Sequence, residues 1–176
     1  MQIRKTTPQD LDRLMEIFEE ARGTIARLGI NQWQDGYPSR DVIAEDVALG
    51  RSYAVLWEGD LCGTFVLIDD GEPTYDRIEG GHWRTGDDSR GYIAIHRVAI
   101  AVKNRGSGIS GQLLAYAARY ARKLGRASLR IDTHEGNVVM RRMLEKNGFT
   151  YCGVIYLSNG DPRVAYEKTL DEEVSV

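Results

Sequence analysis

Apolar residues at Leu11, Leu14, Met15, Phe18, Ile25 and Leu28 recur at the three- and four-residue spacing of a helix with one buried face. Ahead of them, Thr7-Pro8-Gln9-Asp10 supplies a helix start: a capping hydroxyl, a proline where no N–H is needed, and an acid three residues after the cap. The helix is expected to end near Gly29, with a short strand over residues 3–6 in front of it. The segment INQWQDGYPSR has no period and reads as a loop. Ser39 then caps a second helix carrying Val42, Ile43 and Val47, which stops at Gly50.

The pattern then shortens. SYAVLWEGDLCGTFVLI is two β-rich runs joined by Glu58-Gly59-Asp60, a hairpin signal. Residues 69–90 are polar and rich in glycine, a loop of a length that in compact domains is functional or disordered. GYIAIHRVAIAV, residues 91–102, is apolar on both parities apart from His96 and Arg97, which predicts a strand buried on both faces. After a glycine turn comes a long helix with Ile109, Leu113, Ala117, Tyr120 and Leu124 on one stripe. ASLRIDT predicts another strand, Asn137 to Asn147 a helix closed by Gly148, and YCGVIYL with RVAYEKTL a final strand pair. The order β-α-α-β-β-β-α-β-α-β-β predicts an α/β (α+β) fold, with a mixed sheet of about seven strands and helices on its faces. A chain of 176 residues is long enough for one well-buried core and short for two, so residues 1–170 are expected to form one domain and 171–176 a frayed acidic tail.

Charge narrows the partners. With 23 Lys+Arg against 26 Asp+Glu the chain lacks the basic excess of a nucleic-acid binder. Arg119, Arg122, Lys123, Arg126 and Arg130 read instead as a solvated polar face. No segment approaches a membrane-spanning length, and the first residues lack the apolar stretch of a signal peptide. Two cysteines, Cys62 and Cys152, make no disulfide framework and fit a reducing compartment. The expectation is a cytoplasmic protein with no membrane or nucleic-acid partner and no metal site; its oligomeric state, a homodimer included, is left open.

The segment KNRGSGISG carries a literal G-x-G-x-x-G at Gly106, Gly108 and Gly111. It follows a strand and opens a helix, and Asp132 lies about 20 residues on, where a dinucleotide fold keeps its ribose-binding acid. Against that reading, polar Lys103-Asn104-Arg105 separates the strand from the first glycine, and too little chain follows for a second mononucleotide-binding half. A plain tight turn is the bland alternative. In either functional reading, glycines let backbone N–H groups converge and the helix adds its positive dipole end, which suits a diphosphate. Arg105 sets a cation beside it.

VAIAVKNRGSGISGQLL, residues 98–114, resembles the acyl-CoA-binding motif of the GNAT superfamily of N-acyltransferases, [QR]-x-x-G-x-[GA] between a strand and a long helix. Lys103 stands where that family has Gln or Arg, and Ser110 where it often has a third glycine; neither change removes a backbone donor. NVVMRRMLEKNGF, residues 137–149, resembles the family's N-x-x-A-x-x-L-Y-E-K-x-G-F. Together with the element order, the resemblance covers roughly residues 2 to 170 and displaces the dinucleotide reading.

The resemblance implies a sheet splayed between its fourth and fifth strands, with the pantetheine arm of acetyl-CoA along Val98, Ala99 and Ile100. It places the pyrophosphate over Arg105, Gly106, Ser107, Gly108, Ile109 and Ser110, with Asn137 reaching the cofactor or simply capping its helix. The implied reaction is direct acetyl transfer to a primary amine of a small molecule, peptide or protein lysine, with a backbone N–H near Val98 as oxyanion donor. His96 is the candidate base, since it is the near-neutral titrating group on the buried strand and shares sequence parity with Val98 and Ile100; a hydrogen-bonded core histidine is the alternative. The family's frequent Tyr is replaced by Leu144, which leaves the acid open to Tyr156, to water, or to unaided departure of the thiolate. The loss also keeps alive a non-catalytic acyl-CoA-binding domain. Trp33, Tyr37 and Trp83 are aromatic residues in polar loops that suit either an amine pocket or loop anchoring.

Overall fold

The computed structural model describes residues 1–86, 88 and 90–170; the expected tail at 171–176 lies outside the described residues. In chain order the elements are β1 (Gln2–Lys5), α1 (Leu11–Ala26), α2 (Arg40–Ala48), β2 (Ser52–Trp57), β3 (Asp60–Ile68), β4 (Tyr92–Ile100), α3 (Ile109–Lys123), β5 (Ser128–Thr133), α4 (Val138–Lys146), β6 (Thr150–Tyr156) and β7 (Pro162–Thr169). The strands form a seven-stranded mixed sheet in the order β1-β2-β3-β4-β5-β7-β6. β4 and β5 run parallel, while β1–β2, β2–β3, β5–β7 and β6–β7 pair antiparallel. Among the described residues, the β4–β5 pairing covers only Tyr92↔Ser128, Ile93↔Leu129 and Ala94↔Arg130, although both strands continue beyond it.

The chain divides into two compact units, Met1–Leu67 with His96–Leu113, and Ile68–Ile95 with Leu114–Val176. In the first, α1 buries Leu14, Ile17, Phe18 and Ala21 against Ile43 of α2 and Ala99 and Ala101 at the end of β4. The start of α1 is fixed as the sequence predicts. Asp10 accepts from the Thr7 backbone at 2.8 Å and from Arg4 at 2.7 and 2.9 Å. Ser39 accepts from the Val42 backbone at 3.3 Å and opens α2. The hairpin closes between Trp57 and Asp60, with Glu58 at φ 52° and Gly59 at φ 89°, the two positive φ values that match the twist of the flanking strands.

In the second unit, β5, β7 and β6 pair in succession, and the polar segment 69–86 is fastened rather than free. Glu79 exchanges both backbone hydrogen bonds with Val154 of β6, each at 2.8 Å. Two residues depart from expectation. Arg130, expected on a solvated face, is 5% exposed and paired with fully buried Glu167. Leu124, expected on the buried stripe, is 42% exposed one residue past the end of α3. The four-residue row Ile109, Leu113, Ala117 and Ala121 stays buried to its end, with Leu114 and Ala118 beside it, so the buried side runs on to Ala121 rather than through Tyr120 to Leu124.

Candidate functional site

The glycine motif forms an exposed turn in the first unit. A 3-10 turn over Val102–Asn104 follows β4, then Gly106 at φ 78° and Gly108 at φ 81° lead into α3. Nothing lies within 4 Å of where a Cβ would stand at either glycine, so backbone conformation rather than crowding requires them. The first α-helical bond there runs from Gln112 N to the Gly108 carbonyl at 3.3 Å. Helix geometry therefore leaves the N–H groups of the preceding turn without intrahelical acceptors. Ile109 is buried and anchors the helix, while residues 105–108 are exposed. An exposed turn with open space at both glycines, ahead of the positive end of a helix, fits a diphosphate.

Two flanking cations turn elsewhere. Arg105 donates from Nε to the Ile100 carbonyl at 3.2 Å and from Nη1 to Thr24 Oγ1 at 2.7 Å, so its guanidinium lies on α1. Burial pushes its pKa down, with Glu20 countering and Arg27 adding to the shift. Lys103 faces Asp60 at 3.4 Å, on the rim of a cavity of about 570 Å³ lined by Arg13, Glu20, Gly59, Asp60 and Leu61.

His96 is half-buried on β4, followed by Arg97 at φ 53°, Val98, buried Ala99 and Ile100. The left-handed conformation at Arg97 interrupts the alternation of the strand. The parity that groups His96 with Val98 and Ile100 therefore does not carry across it. The Arg97 side chain donates to buried Asp46 Oδ1 at 3.2 Å, lies 3.0 Å from its Oδ2 as an ion pair, and donates to the Tyr37 hydroxyl at 2.8 Å. Burial pushes the Asp46 carboxyl up; Arg97, His96 and Arg51 pull it down in that order, and Glu45 adds to the rise. The sequence marks Arg97 only as an interruption of an apolar strand and says nothing of Asp46. The loop carrying Tyr37 is also tied to α1, since Arg22 donates to the carbonyls of Gly36, Tyr37 and Pro38 at 3.2 to 3.4 Å. Trp33 packs edge-on against Phe18, ring centres 5.8 Å apart, at the rim of the core.

The second unit holds the remaining candidates. Asn137 caps α4, accepting from Met140 N at 3.2 Å. Leu144 is fully buried. Tyr156, at the end of β6, donates to Glu79 Oε2 at 3.1 Å on the wall of a cavity of about 520 Å³ lined also by Pro73, Thr74 and Arg77. That bond to a carboxylate raises the tyrosine pKa, making it a weaker acid. Trp83 is buried, donating to the Tyr75 carbonyl at 2.9 Å with Arg130 4.4 Å from its ring centre, which is an anchor's environment. His82 is exposed, and His134 Nδ1 accepts from Gly136 N at 3.0 Å.

The sequence profile of the acetyltransferase (GNAT) family matches residues 11–149, from the start of α1 through the end of the second motif. The chain belongs to the GNAT acetyltransferase family. Its structure is similar to that of a GNAT family acetyltransferase from Streptococcus agalactiae, at 36% identity and a TM-score of 0.87, covering 97% of this chain and 96% of that one. A GNAT family acetyltransferase from Listeria monocytogenes shares the fold at 22% identity and a TM-score of 0.68, covering 96% and 94%. So does yncA from Salmonella typhimurium, solved with its cofactor acetyl-CoA, at 19% identity and a TM-score of 0.66, covering 100% and 97%. No curated protein matches the chain significantly. Among the described residues of this GNAT protein, no helix is long and apolar enough to cross a membrane.

Proposed function

We propose that this protein transfers an acetyl group from acetyl-CoA to a primary amine by direct attack, acting as a single domain in the cytoplasm. The observation that carries the reading is the exposed left-handed glycine turn at the start of α3, in a chain of this family. Acetyl-CoA supplies the activated acyl group as a thioester. The backbone of Gly106 to Ser110 binds its diphosphate, the β4 backbone from Val98 to Ile100 takes the pantetheine arm, and Asn137 contributes a side-chain contact. His96 accepts the proton of the attacking amine, and the Val98 N–H faces the developing oxyanion. Glu79 holds the Tyr156 hydroxyl. We infer that the thiolate leaves without an acid from this chain, because a free thiol has a pKa of about 8.5, far below that of an alcohol, and its anion is a competent leaving group.

A second reading, an acyl-CoA-binding domain without turnover, draws on fully buried Leu144 at the family's tyrosine position. Release of free CoA from acetyl-CoA across a panel of amines decides between them. Thermal stabilisation supports the cofactor assignment. Ligand at 100 times its dissociation constant adds about 2.7 kcal/mol, roughly 5 to 10 °C for this size. Stabilisation by NAD and none by CoA would overturn it.

A further inference from the structure

We propose that the Asp46–Arg97 ion pair is a positioning device for His96, holding the kink in β4 that aims the imidazole; this rests on the proposed role of His96 as base. A bulky residue in the left-handed region is unfavourable and persists where its surroundings over-determine it. At Arg97 the surroundings are visible. Its guanidinium reaches Asp46 of α2 at 3.0 and 3.2 Å and the Tyr37 hydroxyl at 2.8 Å, with both charged side chains largely out of solvent at 16% and 8% exposure. α2 in turn is fixed, because Ile43 packs in the same core as Ala99, two residues beyond Arg97. The pair therefore ties the left-handed residue to a helix packed in the core, and the neighbour on its N-terminal side is His96.

The pair thus contributes to the direction of the ring through the backbone at Arg97.

The test compares Arg97→Gly, Arg97→Lys and Asp46→Asn with His96→Gln in acetyl-CoA-dependent turnover, using kcat and KM profiles against pH. Glycine adopts the left-handed conformation without penalty but has no clamp, so it separates backbone from side chain. The expected result is a kcat loss of about 10²-fold in Arg97→Gly at unchanged KM for acetyl-CoA, the scale of a misplaced reacting group. Arg97→Lys should recover part of it. Asp46→Asn should lower kcat in the same direction, at unchanged KM for acetyl-CoA. If Asp46→Asn does not fold, Arg97→Gly and Arg97→Lys decide alone. Normal kcat in Arg97→Gly beside an inactive His96→Gln overturns the positioning proposal and leaves the base assignment standing. Normal kcat in a folded His96→Gln removes the base assignment, and the positioning proposal with it.

Discussion

Arg130 donates from Nε to Glu167 Oε1 at 2.9 Å, with both side chains shut off from solvent. Glu167 also accepts from Ser128 Oγ and Thr85 Oγ1, each at 2.6 Å, and from the Thr85 and Arg84 backbone. Trp83 and Tyr92 stand 4.4 and 4.1 Å from the Arg130 guanidinium, so one buried pair fastens the 83–86 segment. Removing one partner of a buried pair costs about 3–5 kcal/mol, and Glu167→Ala should melt roughly 10 °C or more below the parent. Burial alone would raise the Glu167 pKa, but bonds from Ser128, Thr85 and Arg130 outweigh it and hold it below the ordinary glutamate value. A depressed carboxyl stabilises the fold above its unfolded value and loses that contribution as pH falls through the folded one. Acid melts below about pH 4.5 should therefore show the loss in the parent and not in Glu167→Gln. Equal acid sensitivity in both would show that other carboxylates dominate.

Glycines at two places should fail for different reasons. At Gly108 an added methyl meets nothing within 4 Å, and the cost is the backbone conformation at φ 81°, about 1–2 kcal/mol. At Gly153 a Cβ would stand 2.6 Å from the Glu79 carbonyl oxygen and 2.9 Å from Ile78 Cγ1. Gly153→Ala should destabilise more and release the Glu79–Val154 bridge, seen as faster amide exchange at both residues. Gly108→Ala should fold and show a raised KM for acetyl-CoA.

The contrast marks what the sequence could carry. Turns and caps were legible because Gly106, Gly108, Ser39 and Glu58-Gly59 act through their own backbone, and local rules suffice for them. Element order and the glycine turn ahead of α3 followed. Arg130 was misread because a charged residue's solvation depends on a partner 37 positions away, and a polar loop shows no period from which its buried anchor could be inferred. The parity drawn from His96 to Val98 and Ile100 does not carry for a related reason: period-two arithmetic assumes extended backbone at every step, and left-handed Arg97 cancels it.

Arg105 illustrates a cation whose direction the motif does not determine. Its bonds to Thr24 and the Ile100 carbonyl brace the turn from outside the glycine loop. Arg105→Ala should raise KM for acetyl-CoA with kcat nearly kept, since a brace affects ground and transition states alike. Thr24→Val should raise KM in the same direction by a smaller factor. A lowered KM in Thr24→Val would show instead that the arginine swings onto the phosphates when released.

The leaving group provides the last test. Tyr156 is 40% exposed and donates a hydrogen bond to a carboxylate that raises its pKa, while Leu144 is fully buried at the α4 position where a family tyrosine would stand. A tyrosine at Leu144 would add bulk at a fully buried position, and overpacking a core position costs about 1–3 kcal/mol. Leu144→Tyr should therefore melt lower without gaining rate. Tyr156→Phe should keep kcat within about threefold, because a group worth 10² or more as a general acid would have to surrender a proton it now shares with Glu79. The decisive comparison is kcat with a poor and a good thiol leaving group in parent and Tyr156→Phe. An acid is needed most by the poorer leaving group, so a selective loss of kcat with that thioester would assign the proton to Tyr156. An equal response in both proteins supports departure of the thiolate on its own.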